Sequence, residues 1–127
     1  MIILDTSALI DLFRGREEIR KAMGGDVAST VVNYHEIFAG IKHRKAKAEE
    51  RFFRRFFSDI RILELDPVAA ERSSEIMGRL LTLGISVNDL DVLIAGIAVA
   101  NGAETLFTRD SDFESIAKVT ELNIKTY

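Results

Sequence analysis

Cysteine and tryptophan are absent from the 127 residues, and proline occurs once. Without cysteine, disulfides and thiolate metal sites are excluded, so a bound metal must take oxygen or histidine ligands; the composition suits a reducing cytosol. Long apolar runs are missing too. The longest, Val92 to Ala100, is too short to cross a bilayer, and Asp5 interrupts the first apolar stretch before a signal-peptide core could form. The expectation is a soluble, cytoplasmic protein with no membrane partner. Repeats, low-complexity tracts and Gly/Ser linkers are also lacking, while a hydrophobic content of 47% argues against disorder. At this length the chain is expected to form one domain over residues 1–127.

What is present is charge, unevenly spread. Lys42 to Arg55 holds seven Lys or Arg against Glu49 and Glu50, a local +5 that leaves −8 for the rest of a chain whose net charge is −3. An acidic total argues against wholesale coating of nucleic acid, yet a local basic strip can still guide a polyanion to a site.

Short apolar runs alternate with longer helical patterns. Ile2-Leu4 precedes Ala8-Phe13, Val27-Ser29 precedes Tyr34-Ile41, and Arg61-Leu65 precedes Val68-Leu83; further strands are predicted near residues 105–107 and 123–125. This rhythm predicts an α/β fold, a central parallel sheet with helices on both faces. Val92 to Ala100 is apolar on every side and must be wrapped by other elements. A helix predicted from about Ala46 to Ser58 places Phe52, Phe53, Phe56 and Phe57 on one broad face, which suits either core packing or a dimer or partner surface.

Acids punctuate this scheme. Asp5 directly follows the first strand and Asp110 follows the "TLFT" strand, while Glu36 and Asp91 fall in the first turns of helices predicted to begin at Asn33 and Asn88. In an open parallel sheet, strand C-termini and helix N-termini share one rim, so all four carboxylates can converge there. Each also has a plain structural role. Asp5 is a candidate N-cap, Asp110 a candidate Asx turn, and Asn33-x-x-Glu36 and Asn88-x-x-Asp91 resemble capping boxes. Two such charges about 4 Å apart repel by roughly 4 kcal/mol at an effective dielectric near 20, more than capping terms of about 1 kcal/mol offset. A hard divalent cation, Mg²⁺ or Mn²⁺, relieves that repulsion.

Thr6, Ser7 and Thr108 flank the same strand ends as candidate hydroxyl partners, with capping as their alternative role. Asp89 and Asp112 are candidate outlying acids. His35 precedes Glu36 on the predicted helix, so the two side chains point about 100° apart. Without a Ser/His/Asp spacing or a cysteine, covalent catalysis has no candidate set.

Four segments, "ILDTSALIDLF", "STVVNYHEIFAG", "DVLIAGIAVANG" and "TLFTRDSDF", together resemble the PIN-domain family, in particular the VapC-type toxin ribonucleases of bacterial and archaeal toxin–antitoxin pairs. Their order and spacing cover essentially the whole chain. The resemblance implies that Asp5, Glu36, Asp91 and Asp110 form an acidic quartet holding Mg²⁺ or Mn²⁺, and that the chain hydrolyses RNA phosphodiester bonds with metal assistance. It also implies a homodimer inhibited by a VapB-like antitoxin. Ser7 stands where many relatives carry Asn, and Asn33 where Thr or Ser is usual. Lys42, Arg44, Lys45 and Lys47, with Arg109 beside the quartet, are candidate phosphate contacts, the alternative being a solvated charged face.

Two rival readings remain open at this level. A phosphatase or phospho-acceptor receiver also keeps acids at strand ends, but no second aspartate follows Asp5 by two residues and no lysine follows a late strand in the place a receiver needs. A non-catalytic interaction module would instead use the Phe52-Phe57 face.

Overall fold

The computed structural model describes residues 1–127. A strand at Ile2–Leu4 (β1) passes into helix Thr6–Phe13 (α1) and a short helix Glu17–Ala22 (α2). Strand Val27–Thr30 (β2) is followed by helices Val31–Arg44 (α3) and Lys47–Asp59 (α4). Strand Arg61–Leu63 (β3) precedes helices Pro67–Thr82 (α5) and Asp89–Ala100 (α6), and then come strand Thr105–Thr108 (β4), helix Asp112–Ala117 (α7) and strand Asn123–Thr126 (β5). No helix is long and apolar enough to cross a membrane.

The strands form one sheet in the order β3-β2-β1-β4-β5, and every neighbouring pair is parallel. Alternation along each strand divides the core in two. Ile3 and Leu106 join α5, α6 and α7 on one face, while Leu4 and Phe107 join α1 to α4 on the other. The all-apolar helix α6 is enclosed as its composition requires, with Val92, Ile94, Ile97 and Ala98 buried. Gly96 lets α6 approach α5 closely: a Cβ there would stand 2.6 Å from the Ser73 backbone nitrogen and 2.7 Å from its Cα.

Several boundaries differ from expectation for identifiable reasons. Helix α3 starts at Val31 rather than beyond Asn33, because Thr30, still extended at φ −116°, caps it by accepting the Asn33 N–H at 3.2 Å. Strand β3 stops at Leu63, and α5 opens soon after with Asp66 accepting the Ala69 N–H and Pro67 in the first turn. Helices α2 and α7 carry no signal in the sequence pattern, because six residues are fewer than two turns, too short for a helical period to register.

The four phenylalanines of α4 divide. Phe53 and Phe57 are 1% and 6% exposed and belong to the core, whereas Phe52 and Phe56 are half-buried, one 100° step around the helix. Their rings are parallel at 6.0 Å, and Phe13 meets Phe52 edge-on at 5.3 Å.

The sheet grows outward in both directions from β1, so β1 and β4 meet at the topological switch point, where crossovers diverge and leave a crevice at the strand C-termini. Asp5 and Asp110 lie beside that crevice.

Candidate metal centre

Asp5 occupies the N-cap position of α1 without capping it. Its backbone N–H donates to the Phe107 carbonyl at 3.1 Å, which ties the ends of β1 and β4 together. The carboxylate, in a residue only 4% exposed, accepts three side-chain hydrogen bonds. Asn33 Nδ2 donates to Oδ1 at 3.0 Å, and Thr108 Oγ1 and Ser7 Oγ donate to Oδ2 at 2.8 and 3.3 Å. Burial raises the Asp5 pKa above the usual carboxylate range; the bonds from Thr108, the Thr6 amide and Asn33 offset part of this, and the Asp110 charge adds to it.

Glu36 projects from the second turn of α3, and its Oε1 accepts from Thr6 Oγ1 at 2.8 Å. Thr6 Oγ1 in turn accepts from Asn33 Nδ2 at 3.0 Å, so one amide steadies both acids. The Glu36 pKa is also raised, first by burial and then by the Asp5 and Asp110 charges, against a lowering bond from Thr6.

Asp91, third residue of α6, does not close the expected capping box. Asn88 caps the helix by accepting the Leu90 N–H at 2.9 Å, but Asp91 Oδ2 is buried with no hydrogen-bond partner. Its pKa is pushed up to about 8, chiefly by burial and then by the charges of Asp110, Asp5, Asp112 and Glu36.

Asp110 combines two roles. Oδ1 accepts the Asp112 N–H at 2.9 Å, the Asx-type turn its sequence suggested, while its own N–H donates to Thr108 Oγ1 at 2.9 Å. One carboxylate oxygen from each of Asp91, Asp110 and Asp112 lies within 4.8 Å of the others. Asp5, Glu36, Asp91 and Asp110 line a single pocket of about 260 Å³ with Thr6, Ser7, Ile10 and Arg109.

The PIN domain family model matches residues 2–119. The chain belongs to the PIN domain family. Among solved structures, this PIN domain is similar to a chain of VapBC2 from Rickettsia felis bound to a promoter DNA fragment, with a TM-score of 0.86, 19% identity, and 100% of this chain and 99% of that one covered. It is similar to a chain of DNA-bound VapBC from Salmonella typhimurium, with a TM-score of 0.82 and 25% identity, covering 98% of this chain and 96% of that one. A toxin–antitoxin complex from Klebsiella pneumoniae matches with a TM-score of 0.73 and 29% identity, over 89% of this chain and 90% of that one. No curated protein matches at a significant level.

The remaining expectations fare unevenly in this PIN domain. Thr6, Ser7 and Thr108 do flank the acids, but their hydroxyls are bonded to carboxylates rather than left free for a ligand. Asp112 stands within the Asp91–Asp110 cluster rather than outside it. Asp89 does not join: two residues before Asp91 it lies roughly 200° around the helix, in a separate pocket with Met77, Leu81 and Val87.

The basic strip is likewise apart from the acids. Lys42, Lys45 and Lys47 line a pocket at the far end of α3, about 9 Å or more along the helix axis from Glu36. Arg44 is engaged by Glu49 at 2.9 Å and by the Gly40 carbonyl, so it is not a free phosphate contact. Arg109 does line the acidic pocket, but its guanidinium is held by Asp11. No Lys or Arg forms a salt bridge with Asp5, Glu36, Asp91 or Asp110.

Sequence reasoning missed the role of Asn33, read as a cap, and overlooked Asp11, a lone acid in the apolar run "ALIDLF" that signals either a buried partner or an error of register. The site itself is an all-oxygen donor set without thiol or imidazole, carrying an orphaned buried carboxylate oxygen and uncompensated negative charge. Those features fit a hard divalent ion.

Proposed function

We propose that this chain is one PIN domain over residues 1–127 acting as a metal-dependent endoribonuclease, the toxin of a toxin–antitoxin pair. The observation that carries the reading is Asp91 Oδ2, buried without a partner beside the oxygens of Asp110 and Asp112. Desolvating a carboxylate among four other acids is costly, and a site that keeps this arrangement with no basic side chain paired to Asp5, Glu36, Asp91 or Asp110 is built for an external cation.

Asp5, Asp91 and Asp110, with Glu36 and Asp112, would hold Mg²⁺ or Mn²⁺. Bound there, the ion would supply positive charge opposite the phosphodiester and lower the pKa of a water. The chain's own residues do the rest. Thr108, Ser7 and Asn33 fix the Asp5 carboxylate so that little reorganisation accompanies binding. Thr6 occupies Glu36 Oε1, which leaves Oε2 to orient a water or take its proton. Arg109 offers its unbonded Nη1 at the pocket wall to a phosphate oxygen, and Lys42, Lys45 and Lys47 meet backbone phosphates farther along an RNA strand.

The similar chains from Salmonella and Klebsiella come from VapBC and toxin–antitoxin complexes. By that likeness the partner is a VapB-like antitoxin, the assembly contains a homodimer, and the setting is the cytoplasm. The half-buried Phe52 and Phe56 offer apolar area for one of these contacts.

The test is cleavage of single-stranded RNA in Mn²⁺ or Mg²⁺ by the wild type and by Asp91→Asn, with small phosphate esters as a second substrate. Cleavage of RNA alone, reduced at least about 100-fold by the substitution, is expected. Equal cleavage by the variant, or turnover of the small esters in place of RNA, overturns the reading.

A further inference from the structure

Asp11 is a buried acid that the carboxylate pocket does not use. Helix α1 leaves it 1% exposed, and two distant segments and the nearby Arg16 converge on it. Arg109 donates from Nε at 2.7 Å and Nη2 at 3.2 Å, the Tyr127 hydroxyl donates at 2.7 Å, and Arg16 lies 3.5 Å away. Tyr127 is itself stacked on Phe107, centroids 4.8 Å apart, and the Arg16 guanidinium lies over its ring at 5.7 Å from the centroid.

Arg109 is the only cationic side chain lining the acidic pocket, and it immediately precedes Asp110. Unrestrained, a long cationic side chain beside four uncompensated acids would fold onto them. Here its backbone N–H is fixed by Ser7 Oγ at 2.9 Å and its guanidinium by a two-point fork that lysine could not make.

We propose that Asp11 is a positioning residue that holds Arg109 off the acidic pocket, keeping the carboxylates available to a divalent cation. This rests on the reading of that pocket as a metal centre. The Tyr127 hydroxyl braces Asp11 and also interacts with the Arg109 guanidinium.

Calorimetric titration of Mn²⁺ into the full chain tests it. Asp11→Asn should weaken Mn²⁺ binding by roughly tenfold, because the released guanidinium competes for the same oxygens. Asp11→Asn/Arg109→Gln should regain wild-type affinity. Arg109→Gln alone should change it less than about threefold, since Asp11 already neutralises that charge.

Affinity of Asp11→Asn within about twofold of wild type overturns the proposal. So do equal and opposite shifts in Asp11→Asn and Arg109→Gln, which long-range charge alone would give. If Asp11→Asn does not fold, Arg109→Gln decides: a tenfold gain in affinity would mean that Arg109 already competes with the cation. A wild type that binds no Mn²⁺ sinks the metal centre itself, whereas a binding wild type with unresponsive variants sinks only the role of Asp11.

Discussion

Asn33 Nδ2 donates to Asp5 Oδ1 at 3.0 Å, joining the first turn of α3 to the end of β1 across 28 residues of sequence. The same amide reaches Thr6 Oγ1, and Asn33 Oδ1 accepts from Thr30 Oγ1 at 2.7 Å, so a single fully buried side chain connects the β2–α3 junction with two of the acids. Asn33→Ala leaves the buried Asp5 and Thr30 and the half-buried Thr6 each short of a bond. It should cost about 1–3 kcal/mol of stability and slow RNA cleavage at least about tenfold. Urea denaturation and single-turnover cleavage check the two effects, and a variant that matches the wild type in both would remove Asn33 from the site.

Without metal, stability should fall as pH rises from about 4 to 8. Asp91 has a folded-state pKa of about 8, above its value of 3.8 in an unperturbed chain, so the native state holds its proton more tightly than the unfolded one. The unfavourable charge therefore develops through that window, and Asp5 and Glu36 are shifted in the same direction. Thermal melts of chelator-treated protein should show this slope, and Asp91→Asn should flatten it. A flat profile in the wild type would mean that Asp91 ionises without cost.

Mn²⁺ should raise the melting temperature of metal-free protein. At about 100 times the dissociation constant, a ligand specific for the native state stabilises by roughly 2.7 kcal/mol, on the order of 10 °C for a domain of this size. The shift should grow with pH up to about 8, as the carboxylates lose their protons, and should shrink in Asp91→Asn. Differential scanning fluorimetry across a Mn²⁺ series reads it directly; the absence of any shift would count against a cation site.

Two glycine substitutions should move stability in opposite directions. Gly96→Ala forces a methyl group against the Ser73 backbone and should destabilise by about 1–3 kcal/mol. Gly78→Ala, on α5 with nothing within 4 Å of the added carbon, should stabilise by about 0.5–1 kcal/mol. Denaturant midpoints of the two variants compare them, and a neutral Gly96→Ala would show that α5 and α6 separate easily.

The sequence by itself determined the layered α/β plan, because strand and helix periods and the all-apolar Val92–Ala100 run are local properties that any burial must respect. It also placed Asp5 and Asp110 at strand ends and Asp91 in the first turn of α6, where a parallel sheet exposes its ligand-binding rim. Tertiary structure alone decided the remainder. Whether Asp89 or Asp112 joins Asp91 depends on helix rotation, and whether Phe52 or Phe53 is core depends on which side the sheet lies. Asn33 reaches Asp5 across 28 residues, and Asp11 meets Arg109 and Tyr127 across 98 and 116. Hydrogen bonds and desolvation act through space, and no spacing along the chain encodes which donor will arrive.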